Sequence, residues 1–136
     1  MTTRTAIFIA AAFAAGVLIT HLPAQDRHVY ELRTYTTLPG RLDALTSRFR
    51  DHTTKLFEKH GMRNVGYWVP MDSPASQNTL IYILEHDSRE AAKKSWDDFQ
   101  NDPEWKKVRD DSEANGKIVE KVVSVYMTPT DFSKLK

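Results

Sequence analysis

Asn78-Thr79-Leu80-Ile81-Tyr82-Ile83-Leu84-Glu85-His86 is the stretch that decides the fold. Residues 80–84 are apolar at every position, so the strand they form needs cover on both of its faces. Such a strand belongs at the centre of a sheet. The rest of the chain supplies helices for one face only, which makes a second subunit the expected cover of the other.

Working outward, residues 62–69 read as a strand, and 70–77 as a polar loop rich in Pro and Ser. Before them, residues 41–60 carry Leu42, Leu45, Phe49, Leu56 and His60 at three-and-four spacing, with His52 inside the same stripe. That periodicity predicts a helix, closed by Gly61, because glycine reaches the left-handed conformation without strain. Residues 28–36 are β-branched and aromatic, a first strand that ends at Leu38-Pro39-Gly40. After the central strand, Asp87 and Glu90 have the spacing of a capping box. They open a helix that shows Ala92, Ser95, Trp96 and Phe99 on one face. Asp102-Pro103 starts a second helix, with Asp102 as cap and Trp105 and Val108 as apolar edge. Asn115-Gly116 ends it, residues 117–127 alternate as a last strand, and Phe132 lies in a tail suited to docking on a neighbour. The order is β-α-β-β-α-β, an α+β ferredoxin-like domain with an antiparallel sheet, expected to pair into a dimeric α/β barrel.

Residues 1–24 stand apart from this cassette. A short start carrying Arg4 precedes an uncharged apolar run over 6–19, then Pro23-Ala24. This is the layout of an export signal cut after Ala24, and an uncleaved anchor is the alternative. The apolar run is shorter than the ~20 residues of a comfortable bilayer span. Export to the periplasm or beyond is therefore expected, with no stable membrane insertion after cleavage. Arg4 is the only charge removed, so 19 Lys+Arg become 18, matching the 18 Asp+Glu. A neutral domain of interspersed signs has no footprint for nucleic acid. The absence of cysteine excludes disulfides, thiolate catalysis and cysteine-held metals. Small exported domains usually need such staples, and a second subunit is the substitute.

Tyr30-Glu31-Leu32-Arg33-Thr34-Tyr35, the Pro39-Gly40 turn, Phe57-Glu58-Lys59-His60-Gly61-Met62 and Val65-Gly66-Tyr67-Trp68 resemble the NIPSNAP domain. The 80–84 strand and Asp102-Pro103-Glu104-Trp105 fit as well, so the resemblance covers 29–132. It implies a fold of the dimeric α/β-barrel class, shared with antibiotic-biosynthesis and haem-degrading monooxygenases. Eukaryotic members carry two such domains behind a mitochondrial presequence, whereas this chain has one behind an export signal. The resemblance brings no established catalytic residues and no cofactor.

Chemistry must then come from individual residues. His52 shares a helix face with Leu45, Phe49 and Leu56, so it is either a hydrogen-bonded core histidine or a cavity wall. Glu31 and Arg33 share a strand face and either orient a polar ligand or form an ion pair at an interface. Tyr35, Trp68 and Tyr82 are large amphipathic rings able to wall a pocket, though core packing is their commoner fate. His60, ahead of the glycine cap, reads as structural. It lies two turns from His52, too far for one metal ion, so no metal site is expected. The candidate ligand-binding residues are His52, Glu31, Arg33, Tyr35, Trp68 and Tyr82. Three readings stay open: a homodimeric binder of a small apolar or aromatic ligand, a cofactor-independent oxygenase or haem-handling enzyme, and an accessory dimer without ligand.

Overall fold

The computed structural model describes residues 28–135. The expected signal, residues 1–24, lies outside the described residues. The cassette is β1 (Val29–Thr37), α1 (Leu42–Arg48), a π-helical turn (Phe49–Thr53), α2 (Thr54–Lys59), β2 (Arg63–Trp68), β3 (Thr79–His86), α3 (Arg89–Asn101), α4 (Pro103–Ser112) and β4 (Val119–Met127). A 3-10 turn at Ala75–Gln77 interrupts the long loop before β3. The sheet order is β2-β3-β1-β4, every neighbouring pair antiparallel. This is the ferredoxin-like arrangement, and β3 is an inner strand as its apolar run requires.

Register assigns the two faces. Glu31, Arg33 and Tyr35 stand opposite Leu84, Tyr82 and Leu80. Strand side chains alternate, so these all point the same way, toward the helices. With Leu45, Phe49, Leu56, Phe57, Met62, Phe99 and Ile118, the three β3 residues make the core. The opposite face carries Leu32, Thr34, Ile81 and Ile83 without a helix over it. Ile81 and Ile83 are half-buried, while Trp68 and Val125 on the same side are 51% and 48% exposed. One chain therefore covers one side of β3 only.

The edge strand β4 is barer still. Val122 faces the helix side, opposite Tyr35, yet is 41% exposed. Val123 and Val125 on the other side are exposed too. The helical layer stops short of β4 and leaves a strip open along it. The tail bends back toward the sheet, where Pro129 and Leu135 border a cleft with Tyr30 and Ile83. Phe132 remains exposed.

Two local expectations change. The helix over 41–60 is not continuous, because the π-helical turn inserts one residue into it. The Thr53 hydroxyl donates to the Arg48 carbonyl at 3.2 Å, five residues back. The buried stripe slips by one position, so Thr53 turns inward and His52 is exposed. At the start of α3, Ser88 and not Asp87 is the cap. Ser88 is the last extended residue, and its hydroxyl accepts from the Ala91 N–H at 3.0 Å. Asp87, one residue further out, instead accepts from Arg63 at 2.8 Å.

The expected cap of α4 is present. Asp102 accepts from the Glu104 N–H at 2.8 Å and meets His60 Nε2 at 2.7 Å. Hydrogen bonds from Lys59, then His60 and the Glu104 N–H, hold its carboxyl well below the usual range. His60 thereby ties α2 to α4. Gly61 has φ +78°, the left-handed region in which a Cβ is strained. Gly61→Ala should destabilise the chain by about 1 kcal/mol in urea unfolding, since Ser95 at 3.7 Å leaves room for the methyl and the backbone is the main cost. An unchanged midpoint would show that α2 does not end on this conformation.

Candidate functional site

The inward row of β1 begins with a carboxylate that no solvent reaches. Glu31 is fully buried. Its Oε1 accepts from Arg33 Nη1 at 2.8 Å and Ser124 Oγ at 2.7 Å. Its Oε2 accepts from His86 Nε2 at 2.9 Å and Trp96 Nε1 at 2.7 Å. These donors sit on β1, β4, β3 and α3, so one side chain joins three strands and a helix. Burial alone would push the carboxyl up. The bonds from His86, Ser124, Trp96 and Arg33 outweigh it and bring the group down to about 2.

Arg33 lies over the Trp96 ring at 4.1 Å and 5.6 Å from the Tyr35 ring centre. Tyr35 packs on Tyr82 at 5.4 Å and edge-on against Phe49 at 5.7 Å. Tyr82 is fully buried and stacked on Tyr67 at 5.2 Å, and burial pushes its hydroxyl pKa up. From the helical layer comes Arg48, which sits over Trp105 at 5.3 Å and donates to Ser112 at 3.2 Å and Glu113 at 3.5 Å. Glu31, Arg33, Tyr35 and Tyr82 thus form one contiguous cluster.

A cavity of about 290 Å³ opens beyond that cluster, at the β2 edge of the domain. Phe49 and Arg50 of the π-helical turn wall one side, and Tyr67, Trp68, Val69 and Leu80 the other. The added residue of a π turn widens a helix locally, which is why such turns recur at binding sites. Trp68 folds back over Gly66, where a Cβ would come within 2.5 Å of the indole. It walls this cavity and is 51% exposed.

His52 does not join. It sits on the outer surface in a polar groove of about 660 Å³, with Ser47, Asp51, Glu104, Lys107 and Asp111 among its lining. The inserted residue at the π-helical turn removes it from the apolar stripe. Trp96, His86, Ser124, Tyr67 and Arg48 belong to the site and were not singled out from the sequence. His86 has the inward parity of Tyr82 and Leu84, and Arg48 stands three residues after Leu45, so both carried a signal. Among the described residues no group of three or more His, Cys, Asp and Glu is placed to hold a metal ion.

Glu31 makes stability depend on acid. A carboxyl whose folded pKa is depressed stabilises the fold above its ordinary value, and the contribution is lost as pH falls through the folded one. The window is pH 4.5 to about 2 and the size about 3 kcal/mol. Urea unfolding should show this loss. In Glu31→Gln about 3 kcal/mol should already be missing at pH 7, because the amide turns a donor toward donors. Wild-type stability that stays flat between pH 5 and 2.5 would contradict the assignment.

Several solved structures are similar to this one. A NIPSNAP family protein of unknown function from Agrobacterium tumefaciens superposes with a TM-score of 0.70 at 22% identity, over 82% of this chain and 96% of that one. An uncharacterised NIPSNAP-like domain protein from Burkholderia xenovorans gives 0.68 at 16% identity, over 79% and 90%. A monooxygenase of Streptomyces coelicolor, in complex with Nanaomycin D, gives 0.56 at 13% identity, over 82% and 95%. These likenesses establish a shared fold. No curated protein sequence matches. Among the described residues no helix is long and apolar enough to cross a membrane. The NIPSNAP family model matches residues 30–134, nearly the whole described domain, and the chain belongs to the NIPSNAP family.

Proposed function

We propose that this NIPSNAP chain is exported and acts as a homodimer that binds a small apolar or aromatic molecule. The observation that carries the reading is the 290 Å³ cavity at the π-helical turn, walled by Phe49, Tyr67, Trp68, Val69 and Leu80. Ligand pockets are typically about 300 Å³ or more and apolar with few polar groups, so this one suits a molecule of one or two rings. Dimerisation is supported by the helix-free face of β3 and by β4, whose valines are exposed on both sides. An interface over these strands would bury on the order of 2,000 Å².

An oxygenase-like activity is the second reading. It is supported by the fold shared with the monooxygenase that holds Nanaomycin D and by the rings of Tyr67 and Trp68 at the cavity. Oxygen uptake with a dihydroxynaphthalene probe separates it from simple binding.

Two outcomes are expected. A native mass spectrum of protein from its own cell envelope should give a dimer of chains beginning near Gln25. A folded monomer would contradict the dimer, and a full-length chain would contradict cleavage. The neutral fluorophore N-phenyl-1-naphthylamine should bind the full chain and be lost from Val69→Trp, which fills the mouth of the cavity. Equal binding by both proteins, with equal melting temperatures, would remove this cavity from the function.

A further inference from the structure

Buried polar atoms are nearly always paired, so those that are not point to a missing partner. Among the described residues the buried side-chain atoms without one are Arg33 Nε, Thr37 Oγ1, Arg41 Nε, Arg48 Nε, Tyr82 Oη and His86 Nδ1. Thr37 continues the row of Arg33 and Tyr35 along β1, and Tyr82 stands opposite Arg33 in the register. Arg48 comes from α1, next in sequence to Phe49, which packs on Tyr35. Its guanidinium and that of Arg33 both lie within electrostatic reach of the Tyr35 and Tyr82 hydroxyls. Arg33 and Arg48 therefore each bring an unpaired Nε to the neighbourhood of the Tyr35 and Tyr82 hydroxyls.

The character of these atoms selects the occupant. A guanidinium N–H donates and cannot accept. Glu31 already takes a bond from Arg33, His86, Trp96 and Ser124, and has nothing left to offer Arg33 Nε. Arg48 donates through Nη1 to Ser112 at 3.2 Å and Glu113 at 3.5 Å, which leaves its Nε over. Water can accept from these N–H groups as well, but it brings no charge and only a single oxygen. A carboxylate brings acceptor lone pairs and negative charge, and matches guanidinium geometry. The Tyr82 hydroxyl, its pKa raised by burial, stays protonated and able to donate.

We infer that the inward row of β1 carries a site for a small organic carboxylate, held between Arg33 and Arg48 against the Tyr35–Tyr82 pair. The route in is the open strip beside β4, where Val122 and Ser124 are exposed and Arg33 and Tyr35 only half-buried. This site is separate from the apolar cavity. Phe49, against which Tyr35 packs, and Leu80, opposite Tyr35 in the register, stand between them.

Isothermal titration calorimetry on the full chain at constant ionic strength tests it, with benzoate as the probe and benzamide as its neutral counterpart. Benzoate should bind at least about tenfold more tightly than benzamide, the discrimination a charge-assisted bond supplies. Benzoate should leave bound N-phenyl-1-naphthylamine in place, which separates this site from the cavity. Arg48→Met should lose benzoate binding about tenfold or more. Tyr82→Phe is the milder variant, because the hydroxyl it deletes meets only the Tyr35 hydroxyl, so the ligand-free protein should stay close to wild-type stability. It should weaken benzoate several-fold without lowering the melting temperature. No heat with benzoate, equal affinity for benzamide, or full binding by folded Tyr82→Phe and Arg48→Met would each overturn the site.

Discussion

A single carboxylate organises this domain. Glu31 has no exposure, and its oxygens take hydrogen bonds from β1, β3, β4 and α3. Each donor is itself committed by that bond. Trp96 is turned so that its indole N–H reaches Glu31, and this presents its ring as the surface on which Arg33 lies. Arg33 is held at its Nη1 end and so keeps Nε directed elsewhere. A buried charge of this kind is weak as a source of net stability, because desolvation offsets much of the attraction. Its effect is on specificity: a slip of β1 against β3 and β4 would carry Glu31 away from His86 and Ser124.

The same domain is incomplete as a single layer. Helices α1 to α4 cover β2, β3 and β1, while β4 lies beyond their edge with valines exposed on both sides. An edge strand of this sort is a liability in a free monomer. The helix-free face of β3, with Ile81 and Ile83 half-buried, has the same deficit. The open strip along β4 beside Arg33 and Tyr35 arises from this geometry, so the uncovered strands and the access to the β1 row are consequences of one feature.

Much of this was legible in the chain. The apolar run at 80–84 placed β3 inside the sheet, Gly61 marked a helix end, and Asp102-Pro103 marked a helix start. Each rests on a rule spanning a few residues. The spacing of Glu31 and Arg33 also foretold that they could pair. What was not legible depended on one inserted residue or on contacts far apart in sequence. A helical wheel assumes constant residues per turn, and the π-helical turn at Phe49–Thr53 breaks that assumption, which is why His52 was misplaced. The convergence of Ser124 and Trp96 on Glu31 joins positions 93 and 65 residues apart, which no local pattern encodes. Arg48 was passed over because a charge in an apolar stripe reads as an interruption rather than as a buried guanidinium.

The central role of Glu31 can be read at its own carbon. Carboxyl ¹³C shifts of the full chain, followed by NMR from pH 7 to pH 2, report each glutamate separately. The Glu31 resonance should hold its ionised shift throughout and begin to move only near the acid limit, around its folded pKa of about 2. A Glu31 titration in the ordinary carboxylate range near 4.5 would contradict the four-donor arrangement and everything built on it.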